Sequence, residues 1–356
     1  MISRMLMMAA NAGGSIPPSG SNVYVVNEFA PNYFAGGSVT TYNRNLTSGA
    51  LNQVSNVSTI GVLTPTEIEL SYDGKNAYVI EQGQPGYVKV FDRDLTNGIL
   101  TFASSIVADT LSFGIAISPD DKNVYVTNGA SNNLSIFTRN LSTGALSGTT
   151  TIATGSGPVQ VVISPDGKNV YVSESGYTQI SIFDRDLTNG SLSGSSILYY
   201  TQQSFGVVIS SNGENIYVSN YNDNSVTIID RDVSDGSLSI ASTVSTGANT
   251  LPYGIAISPD SKNVYVTSSA NATNAGLCVF TRNLSTGALS GLTFVASSAN
   301  AVPTRVEVSS DNKNVYMTNQ GNDTVSVFDR NISTGALTLA STLATGTAPQ
   351  GLAVYP

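Results

Sequence analysis

Residues 164–172 read "SPDGKNVYV", a Pro-Asp-Gly turn followed by a β-branched run carrying a tyrosine, and the chain writes this stretch seven times with small changes. The other copies are "PPSGSNVYV" ending at Val25, "SYDGKNAYV" at Val79, "SPDDKNVYV" at Val126, "SSNGENIYV" at Val218, "SPDSKNVYV" at Val266 and "SSDNKNVYM" at Met317. Their tyrosines, Tyr24, Tyr78, Tyr125, Tyr171, Tyr217, Tyr265 and Tyr316, are separated by 54, 47, 46, 46, 48 and 51 residues. Repeats of this period mean a propeller or a solenoid and not a string of independent domains. The length of 356 residues alone would have suggested two or three domains.

One repeat, residues 112–157, shows the unit. "GIAIS" is a short apolar run, "NVYVT" is rich in β-branched and aromatic residues, "LSIFTR" alternates, and "ALSGTTTIA" is extended and Thr-rich. Turn residues separate them, "SPDD" between the first pair and "NLSTG" between the last. Each unit is therefore four short antiparallel strands, A to D, with A innermost. A lone sheet of this kind has two faces to bury, and seven of them packed around an axis bury one another. The expected fold is all-β, a seven-bladed propeller over residues 17–356 after an arm and linker at 1–16. The last residues, "GLAVYP", match "GIAISP" of the third repeat, whereas the first repeat has no strand A before it. The C-terminal strand is thus expected to complete the N-terminal blade, leaving no open edge.

Composition narrows the chemistry. The net charge is -9, the pI near 4.4, and only 11% of residues are charged. Such a surface has no basic footprint for nucleic acid. With no histidine and one cysteine, Cys278, the chain has no Ser-His-Asp triad, no internal disulfide and no zinc ligand set. No stretch is long enough to be a membrane-spanning helix.

"KNVYVTN" at 122–128 and "VFDRDLTNGIL" at 90–100 resemble the YVTN-type repeat of lactonase-like seven-bladed propellers and surface-layer-type proteins. The resemblance covers residues 18–356 and implies the propeller fold. It implies several activities, because such families hold lactone hydrolases, cyclases and non-catalytic surface proteins. The lactonase-like members lean on sites that often contain histidine, so no catalytic residue carries over to a numbered position here.

Subtracting the repeat separates scaffold from candidate chemistry. Arg44, Arg93, Arg139, Arg185, Arg231, Arg282 and Arg330 share one repeat position, and five lysines sit in the A–B turn, which leaves Arg4, Lys89 and Arg305 unexplained. On strand A, "PTEIELS" and "PTRVEVS" place Glu67 and Arg305 where other blades have Gly114, Gln160, Gly206, Gly254 and Gly351. Two residues on, Glu69 and Glu307 replace small or aliphatic residues, and period two puts each pair on one face. The end of strand B adds Glu81 and Glu174 to a set of amides expected near the same mouth. Glu67, Glu69, Glu81, Gln160, Glu174, Arg305 and Glu307 are the candidate ligand-binding residues. Glu67, Glu69, Glu81 and Glu307 are candidate ligands for Ca²⁺ or another divalent cation, which would polarise a lactone carbonyl with a spare glutamate as base. The plainer reading is a hydrated channel in which Arg305 neutralises the acids and no cofactor is bound.

Three further features belong to the same reading. The "DRDLTNG" loops look like calcium loops, but copies such as "TRNLSTG" lack the acids, so they read as hairpin turns with an Arg-to-acid contact. Tyr33, Tyr199, Tyr200, Tyr221 and Tyr253 fall outside the repeat and are candidates for stacking on sugars or anchoring an interface. The arm, "MISRMLMMAANA", has helix formers and a soft apolar surface in Met1, Met5, Leu6, Met7 and Met8, expected to dock on a protein partner. Its apolar run is shorter than a secretory signal core, and its start resembles leaders of phage structural proteins. The leading expectation is a non-enzymatic structural or recognition module, binding protein or glycan on a cell or virion surface. The alternative is a lactonase-like hydrolase using the channel carboxylates.

Overall fold

A computed structural model describes residues 21–29, 36–59, 61, 63–176, 178–200, 203–270 and 274–355. The N-terminal arm, with its candidate partner-binding methionines, and Tyr33 lie outside the described residues. The described chain forms seven antiparallel four-stranded sheets, as the repeat predicts. Blade 4 is typical: Pro158–Ile163, Asn169–Glu174, Gln179–Arg185 and Leu192–Tyr199 run outward from the axis as strands A to D. Strand B is buried at every position because it has a strand on each side and a blade on each face, while strand D is largely exposed. Strands A of successive blades pack against one another around a closed circle. Closure follows the expected route: Thr347–Tyr355 is strand A of blade 1 and pairs with Asn22–Phe29, with Val23 opposite Val354 and Tyr24 opposite Ala353.

The recurring tyrosine is a latch between blades. In blade 4, the hydroxyl of Tyr171 donates to the Gly236 carbonyl of blade 5 at 2.8 Å and accepts from Arg231 Nε of the same blade at 2.6 Å. Arg231 Nη2 also donates to Asn169 and Asp166, back on blade 4. The same Arg–Tyr bond recurs at all seven junctions, from Arg93–Tyr24 round to Arg44–Tyr316, which joins blade 1 to blade 7. Arg44, Arg139, Arg185, Arg231 and Arg330 thus meet an acid in the A–B turn of the preceding blade and not in their own loop. The second acid of a "DRDL" loop instead caps its own turn, as when Asp186 accepts from the Thr188 amide at 2.7 Å, and the first accepts from the strand B asparagine, as Asp184 does from Asn169 at 3.1 Å. The glycine that follows has φ near +75° in this turn, and a Cβ on Gly236 would lie 2.3 Å from Asn169 of the neighbouring blade. Burial pushes the Tyr171 hydroxyl up to about 12 although Arg231 pulls it down, so it stays protonated and able to donate.

A second repeated contact fastens strand B to strand C inside each blade. Asn27, Asn128, Asn220 and Asn319 donate to Thr40, Ser135, Thr227 and Ser326 at 2.9 Å. Blade 2 replaces this neutral pair with an ion pair, Glu81 to Lys89 at 3.3 Å, which accounts for the otherwise unexplained Lys89. Blade 4 replaces only the amide: Glu174 accepts from Ser181 and Gln179, each at 2.5 Å, and from the Gly155 amide at 2.8 Å. Blade 6 has Ser268 and the buried Cys278 at these positions.

Two measurements check these contacts. Tyr171→Phe removes one donated and one accepted hydrogen bond and should lower stability by about 1–2 kcal/mol, and Arg231→Met, which strands a buried asparagine and an acid, by about 3 kcal/mol, read from denaturant melts. Burial raises the pKa of Glu174 against the pull of its three donors, so its ionisation weakens the fold as pH rises above the ordinary carboxylate range. Glu174→Gln should therefore raise Tm by roughly 1–3 °C at pH 7 and by less at pH 4.

Candidate functional site

At the layer of Glu67, the strands A of blades 1, 3, 5 and 6 carry glycine because the next blade is too close for a side chain. A Cβ on Gly254 would sit 2.3 Å from the Thr304 carbonyl oxygen, and one on Gly351 would sit 2.9 Å from Glu67 Cα. Only blades 2, 4 and 7 have large residues here, Glu67, Gln160 and Arg305, and these meet across the axis. Arg305 Nε donates to Glu67 Oε2 at 2.6 Å, its Nη2 lies 2.5 Å from the same oxygen, and Nη2 reaches Gln160 Oε1 at 3.4 Å. No hydrogen bond from the described residues occupies Arg305 Nη1. Burial works against the guanidinium charge, but the Glu67 carboxylate and, more weakly, Glu307 outweigh it, so the pKa of Arg305 is raised and the cation is secure.

This bridge divides the channel. On one side lies a cavity lined by Glu67, Glu69, Gln160, Arg305 and Glu307 on its polar part and mostly by aliphatic residues of blades 3 to 7 elsewhere. On the other lies the mouth, to which Arg305 also contributes. Glu69 and Glu307 project from the strands flanking Ala353 of the closure blade, Glu69 buried and Glu307 partly exposed. Of the seven candidate ligand-binding residues, the channel brings together Glu67, Glu69, Gln160, Arg305 and Glu307.

Glu81 and Glu174 are not among them. Their backbones do lie at the mouth end, opposite Pro65 and Pro158, as the hairpin register requires. Strand B, however, is one strand away from the axis, and the side chains of Glu81 and Glu174 point into the faces of their blades and not into the channel. Both are fully buried in the strand B–C contact. The four-glutamate cation set therefore does not assemble, and among the described residues no three Asp, Glu or Cys side chains converge as a metal site.

Other residues at the mouth were missed or only half seen. Phe113, Val159, Tyr253 and Gln350 line it from the strand A position just before that of Glu67 and Arg305, and Glu28 and Gln82 from the mouth end of strand B, one residue beyond Asn27 and Glu81. The register of strand A against strand B shifts at this point in blade after blade, between Pro65 and Glu67 or Ser112 and Ile115. Period-two reasoning fails across such a bulge, and residues one step apart can face the same space. Subtracting the repeat one position earlier would have found them. Of the tyrosines outside the repeat, Tyr221 and Tyr253 pack with Phe205, Tyr200 is buried and Tyr199 is exposed on a strand D.

Solved structures of similar shape are distant in sequence. A Bacteroides fragilis protein assigned as a 6-phosphogluconolactonase is 19% identical with a TM-score of 0.83, over 96% of this chain and 100% of that one. A Bacteroides uniformis protein assigned likewise is 18% identical at a TM-score of 0.83, over 95% and 100%. The periplasmic gluconolactonase of Pseudomonas aeruginosa is 16% identical at a TM-score of 0.76, over 94% and 99%. At these identities the likeness shows the fold. No curated protein matches the sequence.

The profile of the family described as "Lactonase, 7-bladed beta-propeller" matches residues 103–197 and 195–302, more than half of the chain. This match overturns the expectation of a non-enzymatic structural or recognition module and favours the hydrolase alternative. The chain belongs to the lactonase family of seven-bladed β-propellers.

Proposed function

We propose that the chain is a lactonase-like hydrolase whose reaction centre is Arg305 and the carboxylates beside it. The observation that carries this reading is the position of Arg305, a cation fixed on the channel axis by Glu67, with Nη1 left to donate and Glu307 two residues along on the same strand face. A guanidinium held in this way is already oriented toward the charge that develops on a carbonyl oxygen, which is where preorganised donors lower a barrier.

The steps follow from these groups. The lactone carbonyl oxygen accepts from Arg305 Nη1. Glu307 takes a proton from a water molecule as that water's oxygen bonds to the carbonyl carbon. The tetrahedral adduct collapses with cleavage of the bond between that carbon and the ring oxygen, and the ring oxygen takes the proton back from Glu307. The product is an open-chain hydroxy acid, ionised at neutral pH. A neutral ester thus enters a channel with three carboxylates and one cation, and an anion leaves it, helped out by the surrounding negative charge. Histidine is absent from this scheme because a carboxylate serves as the base.

The test is hydrolysis of aldonolactones by the purified full chain, followed by acid release at constant pH. Arg305→Met should lower kcat about 100-fold or more, and Glu307→Gln by a similar factor, with Tm in both variants showing that the fold persists. Wild-type activity that survived in both variants, or a wild-type protein that hydrolysed no lactone, would remove the proposal.

A further inference from the structure

Arg305 is pinned at one edge. Its Nε and Nη2 converge on a single atom, Glu67 Oε2, at 2.6 and 2.5 Å. In a planar guanidinium the line from that oxygen through Cζ runs on to Nη1, so a fork onto one atom leaves the plane free to turn about that line. The turn hardly moves Nη1 itself but swings its two N–H bonds. A donor that swings is not preorganised for a developing oxyanion. Gln160 Oε1, 3.4 Å from Nη2, is only a weak brake on the motion.

A second restraint stands on the mouth side. The centroid of the Tyr253 ring lies 5.5 Å from Arg305 Cζ, within the range at which a cation is attracted to an aromatic face. The ring is itself braced. Phe205 is stacked on it at 4.9 Å with the planes 29° apart, and Tyr221 stands edge-on to both, 5.2 Å from Phe205 and 6.4 Å from Tyr253. The backbone of Tyr253 is tied down as well, because Ser219 Oγ of blade 5 donates to its carbonyl at 2.7 Å and accepts from the Gly206 amide at 2.9 Å. Gly206 permits this approach, since a Cβ there would lie 2.6 Å from the Tyr253 carbonyl oxygen. None of the three rings belongs to the latch between blades, and each is only partly buried, so packing of the core is not what places them here.

We propose that Tyr253 is a positioning residue: its ring, braced by Phe205 and Tyr221, sets the tilt of the Arg305 guanidinium so that an Nη1 N–H bond is aimed at the lactone carbonyl oxygen. This rests on the hydrolase reading above and deepens it. The ring face is the acting part and the hydroxyl is not, so phenylalanine at this position serves and an aliphatic side chain does not.

The experiment compares Tyr253→Phe and Tyr253→Leu in the full chain. It measures kcat and KM for glucono-1,5-lactone and follows the Arg305 Nε–H resonance by NMR, identified as the signal missing from Arg305→Met. Leucine should lower kcat about tenfold with KM within about twofold of wild type, and should shift the Arg305 resonance as the ring current is lost. Phenylalanine should leave both readouts close to wild type. Phe205→Leu loosens the brace without touching the arginine and should lower kcat about threefold in the same pattern, which keeps the test decisive if Tyr253→Leu does not fold. An unchanged kcat in Tyr253→Leu overturns the proposal, as does a loss carried by KM. A loss in Tyr253→Phe as large as in Tyr253→Leu also overturns it, by making the hydroxyl the acting group. The resonance separates this claim from the reading beneath it. If the wild-type chain hydrolyses no lactone, the hydrolase reading falls. A resonance that still shifts in Tyr253→Leu and not in Tyr253→Phe then upholds the hold of the ring on the guanidinium, and one that shifts in neither removes that too.

Discussion

Pairing between the last strand and the first is the contact on which the rest of the molecule depends. Ser21 Oγ donates to the Tyr355 carbonyl across 334 positions, and the ladder from Val23 to Tyr355 turns an open row of sheets into a ring. A propeller blade has two apolar faces, so an open row would leave one face bare at each end. Closure also sets the chemistry. The C-terminal strand lies between the strands that carry Glu67 and Arg305, and its small Gly351 and Ala353 leave the space in which those two side chains meet. A site made from residues 238 positions apart exists because the terminal strand is in place.

Each junction is held by the same few atoms. The tyrosine hydroxyl gives its proton to a carbonyl of the next blade and receives one from that blade's arginine, while the arginine reaches back to the A–B turn. These hydrogen bonds are buried, where leaving one partner unmade costs more than making the bond gains. Directionality therefore comes from the polar latch and bulk stabilisation from the aliphatic clusters between blades. Because the latch uses strands B and C and the turns beside them, strand A is left free of it at every blade, and the axis is where the sequence can vary without loosening the ring.

That freedom is used unevenly. Four blades carry glycine at the Glu67 layer, and the three that do not supply one cation, one carboxylate and one amide that satisfy each other. Arg305 keeps its charge in a partly buried place because Glu67 offsets the loss of solvent. The remaining acids, Glu69 and Glu307, give the inner cavity a negative field.

Much of this was legible in the sequence. Seven copies of one turn gave the blade number, the match of "GLAVYP" to "GIAISP" gave the closure, and deviation from the repeat picked out Glu67, Glu69, Gln160, Arg305 and Glu307. The sequence failed where deviation and direction part company. Glu81 and Glu174 break the repeat as clearly as Glu67 does, yet they sit on a strand that does not border the axis, and they answer to Lys89, Ser181 and Gln179 within their own blades. The mouth residues Phe113, Tyr253 and Gln350 were obscured by a bulge that interrupts the alternation of side chains. Sequence alone determined the blade count and which positions depart from the scaffold, because both are properties of a repeat and are read along the chain. Only the tertiary structure decided which departures face one another, because side-chain direction depends on the distance of a strand from the axis and on local register, and neither is written in the spacing of residues.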